Sequence, residues 1–442
     1  MSKPADVPKF SSPGPQLPPR FRKMSVEERR AAVSKAVGVE PEGINAEPGL
    51  SEVLVENAVG FMDLPLGIAE GFVIDGATVN IPLATEEPSV IAAAGYMARI
   101  VARSGGFATT GADSLIAAHV YLDNTGRPTL EDAVREAEAE ILEAVADILA
   151  PMTARGGGFR RFGVTRFSEA SVVRLEILID VCDAMGANLA NSVAERAARL
   201  LEQRLGTKPL LAILSNDGSN RVASAACTVP VDAFAIPGTD GATIASRIVR
   251  AWEVAFYDPA RAVTHNKGIM NGVSALAAAT GNDTRGLEAA CHAFAVKNGR
   301  YQPLTAFALE DEGVLVGRIE LPVPLGTLGG AVGATPASRA SLSIVGNPTA
   351  SLLGRYAAAL GLAQNLAALT ALVGPGIQRG HMKLHARRLA YAAGARGKEI
   401  QEVVKRIEAS GRYSADSADQ ALAEVRTPGG QGAEGGPHRA EG

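Results

Sequence analysis

Four ionisable side chains stand in settings that suit chemistry: Glu87 in ATEEPSVIAAA, Lys267 in THNKG, Asp283 in TGND and His381 in QRGHMKLH. A lysine flanked by Thr264, His265, Asn266 and Asn271 reads as one held by hydrogen bonds, where it can hold a negative oxygen. Asp283 would keep such a lysine protonated, since an opposite charge favours the charged form. The same stretch also reads as a surface loop followed by an ordinary Ala-rich helix. Glu86 and Glu87 precede Pro88 at the start of an Ala-rich run, where acids commonly answer the helix dipole. The sharper reading makes Glu87 a proton carrier, which needs its pKa raised rather than lowered. His381 and His385 are four apart and share a helix face. With no glutamate between them and no third ligand they fit a metal poorly, and better fit a proton donor behind the Gly374-Pro375-Gly376 hinge.

The elements around these residues alternate between strand and helix. Extended segments around Phe72 to Ile74 and Val79 to Leu83 are joined by a turn at Asp75-Gly76. Residues 115 to 122 predict a strand, and EDAVREAEAEILEAVADILA predicts one amphipathic helix with Val134, Ile141, Leu142 and Val145 on its apolar side. The strand VVRLEILIDV then runs into DAMGANLANSVAERAARLLEQRL. There Asp183 suits an N-cap, Gly186 removes a side chain at the first turn, and Asn188 and Asn191 add polar groups. This is a plausible dinucleotide seat, or simply a capped helix. The sole literal GxGxxG, Gly430 to Gly435, has no strand before it and is a false match. Strands PLLAILSN and ASAACTVPV follow, then the helix ASRIVRAWEVAFY, the apolar helix GLEAACHAFAV and a hairpin about Glu312-Gly313. The loop PLGTLGGAVGATP offers bare backbone to a ligand, or is only a turn.

The whole-chain balance excludes several classes. A net charge of −4 over 442 residues gives no basic patch for nucleic acid. Cys182, Cys227 and Cys291 make neither a disulfide framework nor a CxxC site, so a cytoplasmic setting is expected. No uninterrupted apolar run approaches a membrane span, and the Pro- and Ser-rich start lacks the apolar core of a signal peptide. Residues 1–20 and 427–442 are expected to be disordered. Ser25 is expected to cap a helix over SVEERRAAVSKAV, behind Arg20, Arg22 and Lys23, which read as a solvated flank or a phosphate contact.

Taken together, ENAVG at 56–60, ATEEPSVIAAA, DAMGAN at 183–188, ILSN ending at Asn216, DPARAVTHNKGIMNG at 258–272, TGND, GLAQNLAA at 361–368 and QRGHMKLHARR resemble the soluble bacterial, class II, type of 3-hydroxy-3-methylglutaryl-coenzyme A (HMG-CoA) reductase. The resemblance implies a four-electron conversion of the thioester to mevalonate and free coenzyme A, or its reversal, with two nicotinamide hydrides, in isoprenoid metabolism. It implies an α+β fold: a large helix-rich substrate domain (21–110 and 218–375), a small inserted ferredoxin-like, non-Rossmann dinucleotide domain (111–217) and a mobile C-terminal helical flap (376–426). By resemblance Glu87, Lys267, Asp283 and His381 are catalytic: Lys267 holds the oxyanion, Asp283 tunes it, Glu87 exchanges a proton with the mevaldehyde-level oxygen and His381 protonates the departing thiolate. Arg261, Ser89, Asn271, Gln364, Arg22 and His385 would bind substrate, the first of them its free carboxylate. Asp183, Met185, Gly186, Asn188 and Asn216 would hold the nucleotide. Arg155, Arg160, Arg161 and Arg166, with no acid between Ala150 and Phe167, favour NADPH, while Asp147 keeps NADH open. The family's dimers, with sites at the subunit interface, imply a homodimer or a larger assembly of dimers. An acyl-CoA hydrolase or a mere acyl-CoA binder are the rivals, and no nucleophile elbow such as GxSxG is present for the first.

Overall fold

The computed structural model describes residues 63–427 apart from 112, 311, 312 and 375–377, with the backbone alone at 378–384 and a few single positions between 18 and 54. Arg22, ENAVG, the helix expected behind Ser25, the tip of the hairpin at Glu312 and both expected disordered ends lie outside the described residues, save for isolated positions. The chain divides into two units, one running to Glu86 and resuming over Val90–Val373, the other made of Glu87–Ser89 with the residues from Gly374 on.

In the first unit, β1 (Leu66–Ile74) and β2 (Ala77–Ala84) form an antiparallel hairpin. Its turn residues Asp75 and Gly76 both have positive φ, 49° and 82°, the conformation that a two-residue hairpin of native twist requires. Helix α1 (Val90–Ala102) covers the hairpin, with Gly95 close against the Glu70 backbone. The helix begins later than the sequence predicts. Ser89 is left-handed at φ 76°, and no acid lies in the first turn, so Glu87 sits in the turn before the helix and not inside it.

After β3 (Ala108–Thr110) comes a β-α-β-β-α-β run: β4 (Leu115–Asp123), helices α2 (Leu130–Glu136), α3 (Glu138–Ala144) and α4 (Ala146–Thr153), β5 (Gly158–Phe167), β6 (Val172–Asp180), α5 (Ala187–Leu205) and β7 (Pro209–Leu214). Its antiparallel sheet has the order β5-β6-β4-β7 and its own core of Val120, Leu175, Ile177, Ile141 and Leu201 among others. The single helix expected over 131–150 is a rod broken at Ala137 and Val145, where ψ rises to 0°. The apolar side holds at Val134, Ile141 and Val145, while Leu142 is only half-buried.

β8 (Val222–Pro230) returns the chain to a second antiparallel sheet, ordered β11-β12-β8-β3. Three helices follow, α6 (Gly241–Tyr257), α7 (Pro259–Thr280) and α8 (Thr284–Phe294), then a minimal hairpin of β9 (Val296–Lys297) and β10 (Arg300–Tyr301), then β11 (Thr305–Glu310) and β12 (Val314–Pro322). Helices α9 (Pro336–Ile344) and α10 (Ala350–Val373) close the unit. By length and composition α10 is apolar enough to cross a membrane, although Arg355, Gln364 and Asn365 interrupt its apolar run. Yet 72% of its most apolar window is buried inside the protein, which makes it the central helix of the core. It packs on α7 through small residues: a Cβ on Gly361 would stand 3.0 Å from Ile269, and one on Gly272 would stand 3.2 Å from Leu360.

The second unit holds α11 (Gln378–Ala392), α12 (Lys398–Ser410) and α13 (Ala415–Arg426) around Ala386, Ala390, Val403, Ile407 and Leu422. Arg426 bonds to Glu399 at 2.8 Å and to the Gly394 carbonyl at 3.0 Å, joining the last helix to the turn between the other two.

Leu360 is fully buried at the α7–α10 contact. Leu360→Ala is expected to cost about 2–5 kcal/mol, seen as a lower urea midpoint with an unchanged m-value.

Candidate functional site

Helix α7 carries Arg261, Lys267 and Asn271 among the candidate residues, and its start is locally determined. Asp258 caps it, accepting the Ala260 amide at 2.9 Å, and Pro259 takes the first helical position. The whole of 259–280 is helical, so the loop reading of THNKG does not hold. At 100° per residue, sequence neighbours point to different faces. Thr264 and Lys267 are exposed and Asn271 and Ser274 half-buried, one stripe along the helix. His265 and Asn266 are buried on the other side. Asn266 there donates to the Gln302 carbonyl at 2.9 Å and accepts the Leu304 amide at 3.0 Å, while His265 Nε2 meets the Thr305 hydroxyl at 2.6 Å. They brace the segment before β11 rather than flank the lysine.

Near this stripe, two polar atoms are buried without a hydrogen-bond partner among the described residues: Nη1 of Arg261 and Oε1 of Gln364. Gln364, on α10, is 4% exposed and faces Gly272. Burial also pulls the Arg261 pKa downward. A buried donor or acceptor left unmade costs about 1–3 kcal/mol, which makes these two atoms candidates for ligand contacts.

The far end of α7 builds a second cluster. Gly281 ends the helix at φ 75°, and Asp283 caps α8, accepting the Arg285 and Gly286 amides at 3.0 and 3.1 Å. A Cβ on Gly286 would stand 3.0 Å from Asp283 Oδ2 and 3.3 Å from Asn216 Oδ1, so Asn216 and Asp283 share one small region. Asn282, 8% exposed, pairs with both backbone groups of Gly326, giving to its carbonyl at 3.0 Å and accepting its amide at 2.8 Å. Gly326 in turn lies so close to the DAMGAN loop that a Cβ would collide with the Met185 amide. The glycine-rich loop thus uses its bare backbone against the protein at this position.

Arg221, a residue the sequence reading missed, holds this junction. It is 3% exposed and donates to the carbonyls of Met185 at 3.2 Å, Ala184 at 3.3 Å and Leu325 at 2.6 Å. Burial lowers its pKa to about 10, with Asp180 and Asp183 opposing the shift, so it stays charged at neutral pH. Nothing in the spacing of SNRVAS marked it, because its partners lie 36 and more positions away.

Asp183 is half-buried and does not cap its own helix: Gly186, at φ 90°, occupies the N-cap of α5 with no side-chain cap. Asp183 Oδ1 instead accepts the amide of Ala350 at 2.7 Å, at the start of α10. Gly186 is required by its φ and by Val181, whose Cγ1 would stand 2.8 Å from a Cβ there. Met185 is half-buried and Asn188 exposed beside the uncapped start of α5, while Asn191 is turned away to accept the Leu214 amide at 2.8 Å.

The two clusters are far apart within one chain. Thirteen helical steps from Lys267 to Thr280 span about 20 Å. Helix α8 then runs back beside α7, with Ser274 donating to Glu288 at 2.6 Å, which leaves Asp283 beyond the end of α7. Asp283 is therefore out of reach of Lys267 in the same chain. In the second unit, Glu87 and Ser89 lie in the turn before α1, His385 is exposed on α11, and His381 is described only as a helical position of α11. Among the described residues no group of three His, Cys, Asp or Glu is placed to hold a metal ion.

Comparison with known proteins gives a consistent set of relatives. Residues 25–386 match the family model of hydroxymethylglutaryl-coenzyme A reductase. The chain is 41% identical over 421 residues to 3-hydroxy-3-methylglutaryl-coenzyme A reductase of Archaeoglobus fulgidus, covering 92% of this chain and 94% of that protein. It is 35% identical to a probable enzyme of that name from Borreliella burgdorferi, over 93% of this chain and 96% of the relative. Among solved structures, that of the Streptococcus pneumoniae reductase matches with a TM-score of 0.75 at 36% identity, covering 92% of this chain and 99% of that one. A class II structure from the same organism, bound to NADPH in open conformations, matches with a TM-score of 0.74 over 91% of this chain and 100% of that one.

The contact at Gly326 generates an expectation that concerns dynamics. Gly326→Ala should push back the Ala184–Met185 backbone and loosen the Thr327 and Leu328 amides, which donate to the Asp183 carbonyl at 2.8 and 3.2 Å. Amide hydrogen exchange of those two groups is expected to accelerate about tenfold or more, with the strands β8 and β12 unchanged.

Proposed function

Given that this chain belongs to the hydroxymethylglutaryl-coenzyme A reductase family, we propose that it interconverts HMG-CoA and mevalonate plus coenzyme A with two NADPH, the chemistry being divided between the two ends of α7. The observation that carries the reading is the N-terminal half of α7. There a lysine on an open polar stripe runs beside Arg261 and Gln364, each with a buried polar atom that the described protein leaves unpaired.

In this reading Arg261 takes the free carboxylate of the substrate, with Ser89, Asn271, Gln364 and His385 as further substrate-binding groups and Arg22 as a contact to the coenzyme A portion. Lys267 stands where negative charge develops on the thioester oxygen and then on the aldehyde oxygen, a form of electrostatic help worth about 3–4 kcal/mol per donor. Glu87, in the turn that precedes α1 in sequence, exchanges the proton that this oxygen gains or loses. His381, on the helix that begins the second unit, hands a proton to the departing thiolate. Asp283 tunes the lysine, and because it lies about 20 Å from Lys267 in its own chain, it does so from a second copy. A homodimer with two shared sites follows.

The nicotinamide nucleotide supplies the two hydrides when bound. The β4–β7 region, a ferredoxin-like arrangement, offers it the half-buried Met185, Asn188 at the uncapped start of α5, and an apolar pocket lined by Leu142, Leu149, Ala150, Thr153 and Phe159. Asp147, on α4, is 69% exposed and only weakly paired with Arg196 at 3.4 Å, so its carboxylate does not decide the cofactor, and the NADPH-bound class II relative is what supports NADPH. Arg160 and Arg161 are tied to Asp180 and Glu176, each at 2.9 Å, so the arginines of this strand support that choice less than their number implies. The burial of α10 supports a soluble, cytoplasmic enzyme.

Spectroscopy with HMG-CoA present tests the reading: two NADPH are expected to disappear per coenzyme A thiol released, whereas thiol release without an absorbance change would make the protein a hydrolase. Lys267→Ala is expected to lower kcat by about a hundredfold to a thousandfold with the fold intact, and near-normal turnover would refute the assignment. The kcat/KM for NADPH is expected to exceed that for NADH by about tenfold, and the reverse order would overturn the cofactor assignment.

A further inference from the structure

Strand β5 begins with an irregularity that aims one arginine. Phe159 pairs with Ile179 and Arg161 with Leu178, so Arg160 is the extra residue of a bulge, a device that turns a side chain to a new direction. Its guanidinium folds back over the glycine turn at 156–158. Nη1 donates to the carbonyls of Gly157 at 3.2 Å and Phe159 at 3.3 Å, and Nη2 to the Gly156 carbonyl at 2.7 Å and to Asp180 Oδ2 at 2.9 Å. Those acceptors engage all of the terminal N–H groups, which leaves none of them for a phosphate. The other oxygen of Asp180 accepts the Cys182 amide at 2.9 Å, and Cys182 holds a left-handed φ of 52°, a conformation costly for a residue with a side chain. The glycine turn lies directly on this corner. A Cβ on Gly157 would stand 2.6 Å from both the Asp180 carbonyl oxygen and Cys182 Sγ, and that sulfur faces the Met152 and Arg155 carbonyls at 4.0 and 3.8 Å. One carboxylate thus joins the arginine that gathers the turn to the amide that begins the Cys182–Asn188 loop.

We infer that Arg160 and Asp180 are positioning residues for the nucleotide: they clamp the turn at 156–158 against Cys182 and so fix the distance between the apolar pocket and the Met185–Asn188 loop. The inference rests on the reading above that these two places receive the nicotinamide nucleotide. Pocket and loop belong to different parts of the chain, and the clamp lies at their junction. Thr153 and Phe159, which line the pocket, flank the turn on either side, and Asp183 follows Cys182. An exposed ion pair by itself contributes little, and the Arg160 side chain is 40% exposed. The weight of this pair comes from the fork: one planar group orders three carbonyls and a carboxylate together, which a lysine with its single point charge does not. A contact to the 2′-phosphate would depend instead on positive charge, which a lysine keeps.

Arg160→Lys in the full chain, assayed with HMG-CoA and either nucleotide, separates the roles. KM is expected to rise about tenfold for NADPH and for NADH alike, with KM for HMG-CoA within about twofold of wild type. Asp180→Asn, which keeps an acceptor for the Cys182 amide, is expected to give the same loss and to add less than about twofold on top of Arg160→Lys. The cysteines give a readout without substrates. Cys227 and Cys291 are 4% and 0% exposed, so the half-buried Cys182 is the thiol that loosening of the turn uncovers. Its alkylation by iodoacetamide, followed by peptide mass spectrometry, is expected to quicken about tenfold in Arg160→Lys, with Cys227 and Cys291 unchanged. Lysine keeps the neighbouring charge, so the change reports access rather than thiolate fraction. A rise in KM confined to NADPH would make Arg160 a phosphate contact and overturn the inference. Alkylation of Cys182 at the wild-type rate, or faster alkylation of all three cysteines, would deny a hold specific to the turn. Faster alkylation of Cys182 with both nucleotide KM values unchanged would place the nucleotide elsewhere, overturning the reading of its seat and the inference with it.

Discussion

A straight helix is a ruler, and the account of this protein depends on the length of α7. Its 22 residues fix Arg261 and Lys267 near one end and the Asn282-Asp283 junction beyond the other, in one uninterrupted helix. The rigidity comes from burial. Ile269, Val273 and Leu276 are fully buried, and Gly272 and Gly361 let α10 approach closely enough for side chains to interdigitate. The catalytic reading needs an oxyanion holder and an acid close together, so the geometry of one chain directs attention to two.

The second cluster shows how loops can be made as firm as helices. Three carbonyls from two loops converge on the buried Arg221, Asn282 satisfies both backbone groups of Gly326, and Asp183 caps α10. A charge buried in this way costs more than it returns unless its hydrogen bonds are made, and here three loop carbonyls make them. The loop that would receive a nucleotide is thus tied to the residue next to Asp283, and a shift in either is felt by the other.

Local chemistry was legible in the sequence, and long-range chemistry was not. The turn at Asp75-Gly76, the strand over 115–122 and the strand-to-helix step from VVRLEILIDV into DAMGANLANSVAERAARLLEQRL could be read because each is decided within a few residues. The order of motifs led to the family. What was misread has one physical cause: a side chain's neighbours in sequence are not its neighbours in space. His265 and Asn266 looked like companions of Lys267 but turn to the segment before β11. Asp183 looked like the cap of its own helix but caps one that starts 167 positions later. Arg221 carried no signal because all its partners are backbone atoms of distant loops, and the composition of α10 did not disclose that it would be the buried centre of the unit.

The claim that one site draws on two copies is open to a direct measurement. Lys267→Ala and Asp283→Ala chains, each inactive alone, can be unfolded or dissociated, mixed in equal amounts and reassembled. If Lys267 of one chain works with Asp283 of another, half of the dimers are hybrids with one intact site, and the mixture should recover about a quarter of wild-type activity. A mixture that assembles into hybrids and stays inactive would contradict the account.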